Sequence, residues 1–567
     1  MSLRILWLAL LLPFLAPSIS VADDDGSGGI GDLGGDERIV HVLNRLSFGP
    51  RPGDVAKVRD LGVYRYIIQQ LYPERIPDLA CRERIAGLEY VHQSATETAN
   101  RFIKVDPALK KAYDDARTRM AELQKAEPKD RKAIAALQKV IREYRKKTDK
   151  FLPLRQLARA KLIRAVHSER QLEQVMTDFW FNHFNVNGRK GALGLVMPEY
   201  EETVIRPNAF GKFRDLLVAV ARHPAMLFYL DNWMSFAPEG ARVIGEKKNR
   251  RQARGRLLAR GKGLNENYAR ELLELHTLGV DNGYDQKDII EVARCFTGWT
   301  ITNYRRNEGV AFKFAPAVHD AGSKQVMGLR IPPGRGVEDG IRVLEYLARH
   351  PNTARFISEK LCRRFVSDAP PEALVQRCAK TYLETDGDIR KVLYRIFSSP
   401  EFFSREAARS KMKKPAEYAV SAMRALGVET DGNDNLLRAV GGLGEACYFC
   451  EPPTGFPDVA EKWGGSNAIL ARVNFATALA FGRVKGIKPD YEALLSDLPS
   501  RDGRVVADRL AQILMGVPLS PATDDSIADT IERAQAQMKG ARRKVKFADA
   551  AGFIAALILG SPDFQMR

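Results

Sequence analysis

Residues 38–73, "RIVHVLNRLSFGPRPGDVAKVRDLGVYRYIIQQLYP", set the expected fold class. Apolar residues recur at intervals of three and four, the spacing that keeps one face of a helix turned to a core. The stretch reads as two helices joined by "FGPRPGD". Asp54 is the expected cap of the second, its carboxylate accepting hydrogen bonds from free backbone N–H groups. The same periodicity continues along most of the chain, and runs of alternating β-branched residues are few. The expected class is mainly α, a multi-helix globular array with few or no strands.

Two insertions stand out from that array. Residues 105–170 read as long helices rich in Lys and Arg, broken near Pro128, which predicts a charged helical hairpin over about 105–150 with a wet outer face. The alternative for its charge is a dedicated polyanion site. A basic stretch at 241–263, "ARVIGEKKNRRQARGRLLARGKG", reads as a loop, either a binding lid or a segment without function. Near the C-terminus, "DGDIRKVLYRIFSSPEFFS" (386–404) and "DAAGFIAALILGSPDFQ" (549–565) share a helix followed by Ser-Pro-acid-Phe. Two copies are too few for a solenoid.

The chain begins "MSLRILWLALLLPFLAPSISVA", with Arg4 ahead of an apolar run and small residues at Ser20 and Ala22, the layout of a secretory signal cleaved after Ala22. Residues 23–37 read as a flexible acidic and Gly-rich linker, and 38–567 as the helical domain. The early apolar run is short and interrupted by Pro13, unlike a spanning helix of roughly 20 residues. No later segment is long and apolar enough to span a membrane. The expected destination is therefore periplasmic or extracellular. A net charge of +18 over 567 residues favours anionic partners without naming one, and export argues against nucleic acid.

Six cysteines permit disulfides without fixing their pairing. Cys362 and Cys378 fall on successive helices, so a bridge between them is geometrically reasonable. "CYFC" at 447–450 suits a local bridge, half of a metal site or a redox pair, with a structural role favoured because no second CxxC accompanies it.

The candidate chemistry centres on "GLNENYARELLELHTLGVDNGY" (263–284). At 3.6 residues per turn, Asn267, Arg270, Glu271, Glu274 and Thr277 share one arc, opposite Tyr268, Leu272, Leu273 and Leu275. His276 falls among the apolar residues, so Glu271, Glu274 and His276 do not converge on one metal from this helix. Two carboxylates beside Arg270 and Asn267 can bind sugar hydroxyls or divide into a proton donor and acceptor. They can equally form a solvated face with an Arg270–Glu274 pair.

Further polar groups lie in "MTDFWFNHFNV" (176–186, with Asn182 and His183), "MLFYLDN" (226–232, with Asp231), "ARCFTGWTI" (293–301, with Trp299) and "FAPAVHDAGSKQVMG" (314–328, with His319, Asp320 and Lys324). Asp285 is the expected cap of the helix before Trp299. Brought together, these groups suit a polar polymer, with Glu271, Glu274, His183, His319 and Asp320 as catalytic candidates and Asn267, Arg270, Asp231, Asn182, Trp299 and Lys324 as binding candidates. There is no P-loop, HExxH, G-x-S-x-G elbow or glycine fingerprint. No cofactor is indicated, and a metal site assembled from several helices stays open.

These segments, together with "HVLNRLSFGPRPGDV", "ARFISEKLCRRFVSD" and "PPTGFPDVAEKWGGSNAILARVNFA", resemble the successive motifs of the bacterial domain of unknown function 1800 family, from about residue 38 to the C-terminus. The resemblance implies a largely helical exported protein, often encoded beside an exported sulfatase- or phosphatase-like protein, and no settled activity or catalytic residue. The charged hairpin and the basic loop depart from simpler members. Two functions are compatible with it: a hydrolase acting on an extracellular polymer or glycoconjugate, and a noncatalytic envelope assembly or scaffold protein that binds the co-encoded enzyme.

Overall fold

The computed structural model describes residues 33–103, 106–125, 130–244, 263–302, 309–538 and 546–567. The signal and its cleavage point, the break at Pro128 and residues 245–262 of the basic stretch lie outside them. The protein is mainly helical, 62% helix against 4% strand. Among the described residues no helix is long and apolar enough to cross a membrane.

Residues 38–73 belong to three helices where two are expected: Gly35–Leu46, Asp54–Leu61 and Val63–Leu71. Gly62 separates the last two with φ 87°, a backbone conformation costly for a residue with a Cβ. The first helix starts inside the stretch read as linker. Asp54 does not cap. Gly53, in the left-handed region, takes the N-cap position, and the Asp54 carboxylate instead accepts from the Arg51 N–H at 2.9 Å and pairs with Arg424 at 3.1 Å.

The charged insertion is the helix pair Pro107–Lys125 and Arg131–Thr148, which meet through stacked Tyr113 and Tyr144 rings 4.0 Å apart. One apolar core runs from Ile39 to Phe564, joining helices from both ends of the chain. The only strands among the described residues are two antiparallel pairs, Trp299–Ile301 with Phe312–Phe314 and Lys324–Val326 with Leu329–Ile331. They hold the segment that carries His319 against the end of helix Gln286–Phe296.

The repeated Ser-Pro-acid-Phe has the same local geometry in both places. Ser399 and Ser561 each donate to a carbonyl three residues back and accept from the N–H three residues on, which buries Phe402 and Phe564. All six cysteines are free thiols. Cys362 and Cys378 nevertheless face each other across adjacent helices, their sulfurs 3.8 Å apart.

Candidate functional site

The central segment opens as helix Asn267–Glu271 and widens at once into the π-helix Leu272–Thr277. The Leu278 N–H donates five residues back to Leu273, and the Thr277 hydroxyl donates to the Leu272 carbonyl at 2.6 Å. One extra residue in the turn rotates the next side chains by about 100° relative to a regular helix. Thr277, expected on the polar arc, is therefore fully buried, and Leu275 turns partly to solvent. His276 goes into the core as its neighbours require.

The arc that remains is Asn267, Arg270, Glu271 and Glu274. Arg270 reaches Glu266 and Glu274, each at 3.6 Å, and donates to Gln286 at 3.0 Å; Gln286 donates to Glu266 at 2.7 Å. Glu271 is half-buried and has no hydrogen-bond or ion-pair partner among the described residues. Burial first, and the Glu274 charge second, push its carboxyl above the usual range, against the opposing pull of Arg270. Its charge is also felt by Tyr229, whose phenol is pushed up to about 12, chiefly by burial.

The turn before this helix is fastened to Asp231. Asn265 donates to the Asp231 carbonyl at 3.2 Å and Asn267 to that of Leu230 at 3.3 Å, while the Asp231 carboxylate takes Lys190 at 2.8 Å. Asp231 itself sits at φ 59°. It positions the start of the Glu271 helix, with its own charge already matched.

A second group of candidates is gathered in the interior. His319 is fully buried, its Nδ1 2.7 Å from the Thr297 carbonyl and its Nε2 3.3 Å from Asp339. Lys324 donates to the same Asp339 oxygen at 2.7 Å. Asp320 takes Arg294 at 2.8 Å; burial works against its charge, but hydrogen bonds from Arg294 and the Gly322 N–H hold its carboxyl below the usual range. Trp299 is fully buried too, edge-on to Phe296 and Phe312. Gly340 lets a helix lie against the indole, since a Cβ there would come within 2.5 Å of it.

The family model described as a protein of unknown function (DUF1800) matches residues 41–566. The chain belongs to the DUF1800 family. No curated protein and no solved structure matches it.

In this DUF1800 chain, helix Gln171–His183 ends by clamping the loop after "CYFC". Asn182 donates to the Phe456 carbonyl at 2.8 Å and accepts from the Phe456 N–H at 2.7 Å; Asn185 donates to Cys450 and Pro452. Beneath that loop Lys414 lies 3.3 Å from both Asp178 and Glu445, and Lys161 2.5 Å from Asp178. Burial pushes the Glu445 carboxyl up, whereas Lys161 and Lys414 overcome burial and hold that of Asp178 down. The enclosed space there is about 30 Å³, room for about one water.

His183 is sealed in aromatic surroundings, its Nε2 3.1 Å from the His276 carbonyl. Burial, with Lys360 and His276 nearby, drives its pKa well down. No hydrogen bond or ion pair among the described residues joins the Glu271 arc to His319, Asp320 or Lys324. Among those residues no three His, Cys, Asp or Glu side chains gather closely enough to hold a metal ion. Asn185, Asn265, Lys190 and Asp339 complete these networks. Asn265 and Asn185 lie within stretches the sequence singles out for their polar groups, whereas Lys190 and Asp339 lie outside them.

Proposed function

We propose that this DUF1800 protein is an exported hydrolase of an extracellular polymer or glycoconjugate, with Glu271 as proton donor and Glu274 as its basic counterpart. The observation that carries the reading is the half-buried, unpartnered Glu271 carboxyl held above its ordinary range next to a second carboxylate. Neighbouring carboxyl groups in unlike surroundings are one way acid and base roles are divided in hydrolytic sites. Arg270 and Gln286, both partly or fully exposed beside the pair, are placed to bind substrate hydroxyls.

The other candidates then act at a distance. Asp231 and Asn267 fix the helix start, Asn182 fixes the loop at Phe456, and His183, His319, Asp320, Lys324 and Trp299 are buried parts of the surrounding framework. Replacing Glu271 by Gln keeps its shape and removes the transferable proton. Loss of about 10²-fold or more in turnover by a folded variant is the expected result; unchanged turnover would remove the assignment.

A noncatalytic envelope scaffold is the second reading. It is favoured by how many polar candidates are already consumed by internal partners, as in the Lys324–Asp339 and Arg294–Asp320 pairs. Crosslinking in cell envelopes that recovers an exported sulfatase- or phosphatase-like protein, with no turnover by the pure chain, is its expected signature.

A further inference from the structure

A groove enclosing about 940 Å³ lies between the turn at 72–74, the segment 206–212 and the helices Glu372–Glu384 and Ile389–Phe397. None of its walls belongs to the Glu271 segment. Every carboxylate that lines it already has a cation: Glu74 has Arg390 at 3.6 Å, Glu173 has Arg206 at 3.7 Å, Asp388 has Lys212 at 3.7 Å and Glu384 has Lys380 at 3.8 Å. Three further lining cations, Arg170, Lys391 and Arg395, have no carboxylate partner among the described residues; Arg170 donates to the Ile76 carbonyl and Arg395 to the Thr381 hydroxyl.

The groove therefore has a positive excess in a concave wall, where the local field is stronger than over a flat surface. Its apolar elements are equally specific. Tyr394 is 42% exposed and Ile68 37%, large faces left uncovered beside Lys391 and Arg395. Tyr72, by contrast, is occupied between Arg75 and Arg390, whose guanidinium carbons lie 4.6 and 4.3 Å from its centroid. The Arg390 Nε is buried there without a hydrogen-bond acceptor.

We infer that this groove binds a short run of an acidic oligosaccharide, its carboxylate or sulfate groups meeting Lys391, Arg395 and Arg170 and a sugar ring lying on Tyr394. A polymer of sugars alternates anionic groups with flat C–H faces, and the groove offers cations and an exposed aromatic side by side. The site is a binding site separate from Glu271 and holds whether or not the protein hydrolyses its ligand.

The test is calorimetric titration of the full chain at low salt with oligogalacturonate, a sulfated oligosaccharide, a neutral maltooligosaccharide and polyglutamate. Binding of at least one acidic saccharide and none of the neutral one is expected, weakened about tenfold or more by K391E/R395E and by Y394A, and unchanged by E271Q. The two acidic arms distinguish carboxylate from sulfate recognition. Absence of binding to both, binding indifferent to K391E/R395E, or polyglutamate binding as tightly with Y394A without effect would each overturn the inference. Circular dichroism and the melting temperature check that every variant is folded, as expected where Lys391, Tyr394 and Arg395 are exposed and Glu271→Gln keeps its shape.

Discussion

The hydroxyl of Thr277 donates to the carbonyl of Leu272, five residues earlier, at 2.6 Å. That bond satisfies an acceptor where the helix widens, and it belongs to the turn that directs His276 inward and leaves Glu271 and Glu274 on the outer arc. Thr277→Val removes the donor at nearly constant shape. It should lower stability by about 1–2 kcal/mol, read from denaturant midpoints. A midpoint unchanged from the parent would mean that the π-turn does not depend on this bond.

Lys324 and Asp339 form the innermost ion pair near Trp299, both side chains buried. Lys324→Met leaves Asp339 with His319 and a distant Arg335 at 3.8 Å. The expected loss is about 3–5 kcal/mol, because the stranded carboxylate keeps its desolvation penalty. Adding Asp339→Asn should recover part of that loss, giving a favourable coupling in a double-mutant cycle. Additive losses would show that the pair is not coupled.

Lys413 lies 3.7 Å above the Phe564 ring centroid. Burial is the main cause that brings its amine down to about 7, with Arg409, Arg567 and Arg472 adding to the effect and Glu417 opposing it. An unfolded lysine titrates near 10.4. Between these values the unfolded chain binds the extra proton, so this residue makes stability rise with pH from about 7 to about 10 and makes it fall in the other direction. The effect is at most on the order of 5 kcal/mol. Lys413→Met should flatten that rise and stabilise the protein most at neutral pH; an identical pH profile for parent and variant would rule this out.

Cys362 and Cys378 hold their sulfurs 3.8 Å apart. A disulfide needs about 2.05 Å, which a modest side-chain movement supplies. Both thiols are fully buried, so the bond has to form while the chain folds: refolding the reduced, denatured protein in a glutathione redox buffer should join this pair before any other, visible as a crosslinked peptide in mass mapping. First linkage of Cys447 to Cys450 would run against the expectation.

Much of the helical framework is legible because it is local. Asp285 caps helix Gln286–Phe296 in a full capping box with Asp288, as its position before the apolar repeat predicts. The hairpin is equally plain from its periodicity. What the sequence conceals is long-range or off-register. Asp54 looks like a cap until Arg424, 370 residues later, claims its carboxylate. The inward rotation of Thr277 depends on a π-turn that no 3.6-residue count contains. His319, Asp320 and Trp299 have the composition of a sugar site, yet Asp339 and Gly340 come in from another helix against His319 and Trp299, and Arg294, five residues before Trp299, takes Asp320. Asn182 likewise reads as a ligand group and is spent on the Phe456 backbone.

On the proposed role of Glu271 as proton donor, activity should decline as pH climbs through its titration, because the donor form is lost there. The decisive experiment is turnover of a panel of polysaccharides and phosphate or sulfate esters by the pure protein and by Glu271→Gln, across pH, with folding checked by melting. Hydrolysis of at least one substrate is expected, with an alkaline limb and a reduction of about 10²-fold or more in the variant. Equal turnover by both proteins, or a panel that the parent leaves intact, would refute the role given to Glu271.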